Sequence, residues 1–282
     1  MKLLRYGPPG QENPGMLDRD GKIRDLSAVI GDLDGAALAP ASLARLKALD
    51  PASLPLVAGS PRLGPCVARV SKVVAIGLNY RKHAEEAGMP IPGEPIFFLK
   101  AISSISGPSD DVIIPKGSKK MDYEVELGIV IGTRASYVSE IDARRYVAGY
   151  CVVNDVSERE YQMERGGQWT KGKSADTFCP TGPWLVTADE VPDPGKLQLW
   201  TEVNGERRQN SNTADLIFGV DRIVSYVSQF MTLEPGDVVP TGTPSGVAMG
   251  FKPPKFLQPG DRMRLSVEGL GVQEQRLVAY RG

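Results

Sequence analysis

The sequence predicts an α+β fold in which β-structure dominates, and three observations carry that expectation. Glycine and proline are abundant, 31 and 23 of 282 residues, about 19% against roughly 12% in average usage, which calls for many tight turns. Short apolar strand patterns recur from residue 73 to the end, whereas helical patterns are few. No regular helical crossover separates the strands, so a doubly wound parallel sheet is not expected.

In chain order, residues 1–70 have their own texture. MLDRDGKIRDLS sets Asp20-Gly21 between short alternating segments, a hairpin signal. SLARLKALD before Pro51 reads as a short helix stopped by proline. A small N-terminal α+β subdomain is expected here, joined by the proline-rich PASLPLVAGSPRLGP to a main domain over residues 71–282. That domain opens with VVAIGL as a buried strand, then NYRKHAEEAG as a helix with Asn79 as N-cap and Gly88 at its end. Strands are predicted at IFFLK, DVIIP, YEVELGIVI, YCVVND, WLVT, LQLWTEV, DVVPTG and MRLSVEG, with Asn204-Gly205 marking a second hairpin. SEREYQMERGG reads as a helix from Ser157. VDRIVSYVSQFMTL is the one long amphipathic helix, with Ile223, Val227 and Phe230 on one face.

Charge and composition exclude several functions. Lys and Arg number 33 against 34 Asp and Glu, a net charge of -1, so no basic field recruits nucleic acid or an anionic membrane. No stretch approaches the roughly 20 apolar residues of a membrane span, and MKLLRYGPPGQENPG lacks a signal-peptide core. A cytoplasmic protein is expected, its odd set of widely spaced thiols, Cys66, Cys151 and Cys179, reduced. The single histidine, His83, excludes metal sites built from two or three imidazoles. GQWTKGKS at residues 167–174 matches the phosphate-loop pattern by letter. A polar helical segment precedes it and ADTFCPTGP follows, however, without the strand and helix that aim backbone N–H groups at phosphate. TGTPSGVAMG and SVEGLGV likewise lack a dinucleotide frame.

Two constellations could carry chemistry. In KMDYEVELGIVIG, Glu124 and Glu126 are two apart in an apolar run, so in a strand both project from one face. Burying like charges there is costly unless a hard cation such as Mg²⁺ or Mn²⁺ neutralises them, and Asp155, closing YCVVND, offers a third carboxylate. ExE alone fits a solvated edge strand better; the unbroken apolar run into GIVIG and the third acid shift the balance toward a buried metal site. In the helix, Glu86 is three residues beyond His83, placed to orient an imidazole that takes a proton from water. The same helix also reads as a charged surface, with Arg81 beside Glu85 and Lys82 beside Glu86.

Taken together, GLNYRKHAEEAG, PIFFLK, DYEVELGIVIG, GYCVVNDVSEREYQ, WTKGKS and PTGTPSGV resemble the fumarylacetoacetate hydrolase family in order and spacing over residues 73–282. That resemblance implies a mixed β-roll fold, Mg²⁺ or Mn²⁺, and a homodimer. It implies Glu124, Glu126 and Asp155 as metal ligands, His83 and Glu86 as a water-activating dyad on a lid, and Lys173 as the active-site lysine. Lys100, Arg159, Gln162 and Thr243 fall where the family places substrate contacts. The tail from TGTPSGVAMGFKPP to EGLG is similar to the branch of 2,4-diketo-3-deoxy-fuconate and rhamnonate hydrolases, some members of which are named ureidoglycolate lyase. The implied reaction is C–C cleavage of a 2,4-diketo acid, a small 2-oxo acid, to pyruvate and a hydroxy acid. Ureidoglycolate cleavage, oxaloacetate decarboxylation and dioate isomerisation are alternatives on the same site, and a catalytically silent binding protein is the alternative of another class.

Overall fold

In a computed structural model describing residues 1–281, two large sheets face each other across a common core. The ten-stranded sheet runs from Ile23–Asp25 through Asn13–Leu17, Lys2–Tyr6, Cys179–Thr187, Val147–Asn154, Val125–Ile131, Val238–Pro240 and Val73–Gly77 to the edge strand Ile96–Lys100, with Ile105–Ser106 beside Cys179–Thr187. The five-stranded sheet is ordered Glu206–Asn212, Gln198–Val203, Arg262–Val267, Gly271–Ala279 and Val112–Ile114. Most neighbours are antiparallel, but three pairings are parallel, so the fold is the mixed, mostly β α+β architecture expected.

Both predicted hairpins form. Leu17 pairs with Ile23 around Gly21, and Val203 pairs with Glu206 across Asn204-Gly205, whose φ values of 51° and 82° suit a tight primed turn. The first three strands extend the ten-stranded sheet through the pairing of Leu3 with Leu185. SLARLKALD contributes the helix Pro40–Lys47.

The Val125–Ile131 strand is buried at every position because each face meets a core. Val125, Leu127, Ile129 and Ile131 pack between the sheets with Leu199, Leu265 and Leu277. Val130 points the other way, against Val153, Cys151 and the N-terminal residues Leu33 and Leu38. Glu124 and Glu126 share the parity of Val130, so the sheet face that carries this second core also carries the acids.

Three local expectations are corrected. Asn79 does not cap the helix Arg81–Glu86; Tyr80 holds that position without a side-chain bond. Fully buried, Asn79 donates to Thr241 O (2.7 Å) and Phe218 O (3.0 Å) and accepts from Phe218 N (2.9 Å), clamping two distant loops. SEREYQMERGG begins as strand, Ser157–Glu158 pairing with Met121–Asp122. It then turns into a wide π-helical segment, Glu160–Glu164, where the Glu158 carboxylate accepts from Tyr161 N at 2.7 Å. The amphipathic helix ends at Val227: Ile223 and Val227 are fully buried, but Phe230 lies beyond the helix, 58% exposed, against Tyr226 and Phe97.

Candidate active site

Antiparallel pairing of Val125–Ile131 with Val147–Asn154 sets Glu126 opposite Val153 and Val125 opposite Asn154, and Asp155 N donates to Glu124 O at 2.9 Å. The ladder therefore brings Glu124, Glu126 and Asp155 together, with one oxygen of each within 4.8 Å of the others. All three are buried and line a cavity of about 250 Å³ that His83, Glu86, Arg159, Gln162, Lys173 and Thr243 also line.

Lys173 ends the five-residue helix Trp169–Lys173, which Gln168 caps by accepting from Thr170 N. This is the stretch that resembled a phosphate loop, and it delivers an ammonium to carboxylates. Lys173 Nζ donates to Glu124 Oε2 at 2.7 Å and Asp155 Oδ2 at 2.9 Å. Gly172 permits this approach, since a Cβ there would stand 2.5 Å from Gln162 N and 2.6 Å from Glu158 O. Lys100 is a correction to the expected substrate contacts. Its ammonium is fully buried behind the site, donating to Asp155 Oδ1 (2.5 Å) and to the backbone of Lys173 and Val156, and it is not part of the cavity lining.

Arg159 is anchored by Asp122, which accepts from Nε at 2.8 Å, while Nη1 donates to Gln162 Oε1 at 2.9 Å. Its Nη2 forms a buried ion pair with Glu124 Oε1 at 2.6 Å. Thr243 Oγ1 accepts from Gln209 Nε2 (2.8 Å) and donates to Val125 O (3.0 Å).

Burial opposes ionisation of Glu124, but Lys173 and then Arg159 outweigh it and hold the carboxyl at about 2. Burial, then Asp155 and Glu124, push Glu126 well above the carboxylate range. Burial disfavours the Lys173 ammonium, yet Asp155 and Glu124 raise its pKa. The three carboxylates with Asp122 thus outnumber Lys100, Arg159 and Lys173, and Glu126 bears the imbalance. Its only described hydrogen bond is from Gly242 N, at 2.7 Å. An all-oxygen donor set one positive charge short fits a hard divalent cation.

In the lining of the same cavity, His83 Nδ1 and Glu86 Oε2 are 3.1 Å apart. Glu86 Oε1 accepts from Gly246 N at 2.9 Å, and Gly250 leaves room for this carboxylate, since a Cβ there would lie 2.5 Å from its Cδ. Arg81 instead reaches Leu216 O at 2.8 Å, and no ion pair joins Arg81 to Glu85 or Lys82 to Glu86 among the described residues.

Sequence reading missed Asp122. Fully buried, it accepts from Ala248 N (2.6 Å), Met249 N (3.1 Å) and Tyr123 N (2.8 Å) besides Arg159, tying the loop that positions Glu86 to the arginine. Its signal was present, because Asp122, Glu124 and Glu126 alternate. Phe98 and Trp169 were missed as cavity walls.

The fumarylacetoacetate hydrolase C-terminal family model matches residues 72–278, and the chain belongs to the fumarylacetoacetate hydrolase family. A protein of Burkholderia multivorans, named a candidate hydrolase, is 63% identical over the full length of both chains. Among solved structures, a fumarylacetoacetate hydrolase of Exiguobacterium antarcticum is 35% identical with TM-score 0.87, covering 99% of this chain and 100% of that one. A 5-carboxymethyl-2-hydroxymuconate delta-isomerase of Mycobacterium smegmatis is 34% identical with TM-score 0.77, and a maleylpyruvate hydrolase of Sphingobium sp. SYK-6, in complex with manganese(II) and pyruvate, 29% identical with TM-score 0.81; both comparisons cover 100% of each chain. No helix among the described residues is long and apolar enough to cross a membrane.

Proposed function

We propose that this family member is a divalent-metal-dependent hydrolase that cleaves the C3–C4 bond of a 2,4-diketo acid of the acylpyruvate type, releasing pyruvate and a carboxylic acid. The observation that carries this reading is one cavity lined by both an oxygen-only triad and a carboxylate-held imidazole. Glu124, Glu126 and Asp155 would hold Mg²⁺ or Mn²⁺. Such an ion supplies fixed positive charge that stabilises the negative charge developing on the 2-oxo acid portion.

The protein's own groups do the rest. Arg159, whose Nη2 is ion-paired with Glu124 Oε1 at 2.6 Å, offers its further N–H to a carboxylate or oxo oxygen of the substrate, with Gln162 beside it. Glu86 orients the His83 ring through Nδ1, so that Nε2 is free to take a proton from a water attacking the C4 carbonyl. The C3–C4 electron pair passes to C3 and the 2-oxo group, the proton taken up by His83 is returned at C3, and pyruvate leaves. Lys173 keeps its proton and offsets negative charge on the reacting acid. Arrangement of the active chain as a homodimer is part of the same reading.

Product analysis tests it. Acylpyruvates incubated with metal-loaded protein should give equimolar pyruvate and acid; isomerised substrate, released CO₂ or no reaction would overturn the assignment.

A further inference from the structure

The cavity lining is chemically mixed. Besides the carboxylates and their cations it includes Leu78, Phe98, Met163, Trp169, Val247 and Met249. Part of this apolar lining is held in place. Trp169 is seated directly over Gly77, where a Cβ would lie 2.2 Å from Cζ3, and its ring meets Phe98 edge-on at 5.5 Å. Phe98 in turn lies under the Lys173 ammonium, 5.4 Å from the ring centroid. The indole wall and the charged groups are therefore fixed to each other.

Most polar groups of the lining are already engaged within the protein. Thr243 Oγ1 both accepts and donates within the protein. Gln162 Oε1 accepts from Arg159, leaving only its amide NH₂. The Glu86 carboxylate is divided between His83 and Gly246 N. Lys252 sits at the exposed edge, where its ammonium is solvated.

From this lining we infer that the site selects 2-oxo acids whose distal group is apolar, an alkyl or aryl chain, and discriminates against the polyhydroxylated tail of a sugar acid. The inference rests on the 2-oxo acid reading of the charged lining. Each methylene placed against the wall improves binding about fourfold, and each hydroxyl buried there without a partner weakens it roughly tenfold or more.

The test separates binding from turnover. Thermal shifts and dissociation constants are measured in Mn²⁺ for pyruvate, 2-oxohexanoate, 2-oxooctanoate, 3,4,5,6-tetrahydroxy-2-oxohexanoate and 2-oxohexanedioate, and pyruvate release is measured for acylpyruvates with matching tails. The expected result is tightening from pyruvate to 2-oxooctanoate by tenfold or more, with the hydroxylated acid weakest. Val247→Thr, which adds a hydroxyl at nearly constant shape, should narrow that gap severalfold, and Met249→Gln provides the same comparison at another point of the wall. Equal or tighter binding of the hydroxylated acid overturns the inference, as does preference for a distal carboxylate over an alkyl chain. Apolar preference in binding without release of pyruvate from any acylpyruvate leaves the subsite standing and removes the hydrolase reading instead.

Discussion

Replacing Glu126 by glutamine should stabilise the metal-free protein and abolish its response to metal, two effects of opposite sign from one atom-scale change. Glutamine keeps an acceptor for Gly242 N, whose bond to Glu126 is 2.7 Å, and removes a charge placed against Asp155 and Glu124. With ligand oxygens no more than 4.8 Å apart, each repulsion is worth about 3 kcal/mol at an effective dielectric of about 20. The attraction of Lys173 offsets one of the two, so a net gain of about 3 kcal/mol follows at that dielectric. That corresponds to roughly 5–10 °C in Tm for a chain of this size.

The sign with pH is fixed by the raised carboxyl of Glu126. A folded-state pKa above the unfolded value stabilises at low pH, and this contribution is lost as pH rises through the folded value. Wild type and Glu126→Gln should therefore coincide near pH 4 in EDTA and diverge toward pH 8, the variant being more stable. With Mn²⁺ at about a thousand times its Kd, wild type gains about 4 kcal/mol, and the variant gains little. Calorimetry across pH, with and without chelator, reads both effects. A variant less stable in EDTA at pH 8, or one that keeps the full metal-induced shift, would refute the reasoning.

Further expectations concern the other groups. His83→Ala should lower kcat about 10²- to 10⁴-fold while the Mn²⁺-induced Tm shift persists, and an unchanged kcat removes the base assignment. Lys173→Met deletes the strongest attraction holding Glu124 at about 2. Because a depressed pKa stabilises above the unfolded value and that stability is lost as pH falls, acid unfolding of Lys173→Met should begin at higher pH than in wild type. Asp122→Asn releases Arg159 and the Ala248–Met249 backbone together. It should cost about 10- to 100-fold in kcat/KM, by analogy with groups that orient ligands, and flatten the basic limb of the pH–rate profile, with the metal-induced Tm shift retained. Leu127→Ala empties a fully buried position between the sheets and should cost about 2–5 kcal/mol in chemical denaturation without changing KM.

Much of the site was legible because strand geometry is periodic. Glu124 and Glu126 share a face for the reason that two-residue spacing always gives one, and Asp155 joins them because the next long strand is its antiparallel neighbour. The His83–Glu86 pair follows from helical spacing in the same way. Legibility stops where tertiary direction decides. Asn79 has the chemistry of an N-cap, yet the proximity of Phe218 and Thr241 gives its amide three better partners. Lys100 stands in the family's expected order and shares a strand face with the cavity-lining Phe98, but at the end of the edge strand its ammonium is held by Asp155, outside the lining. Phe230 follows the helical period of Ile223 and Val227, but the helix has already ended at its C-cap, Ser228. Asp122 shows its alternation with the glutamates; that it accepts four hydrogen bonds depends on a loop more than a hundred residues away.

The central claim is that water, activated by His83, breaks a carbon–carbon bond in a 2,4-diketo acid at this site. It is tested most directly by mass spectrometry of products formed by the metal-loaded protein in oxygen-18 water. One solvent oxygen incorporated into the released carboxylic acid, with equimolar pyruvate, is the predicted result; an isomerised or decarboxylated product, or an acid without the label, contradicts it.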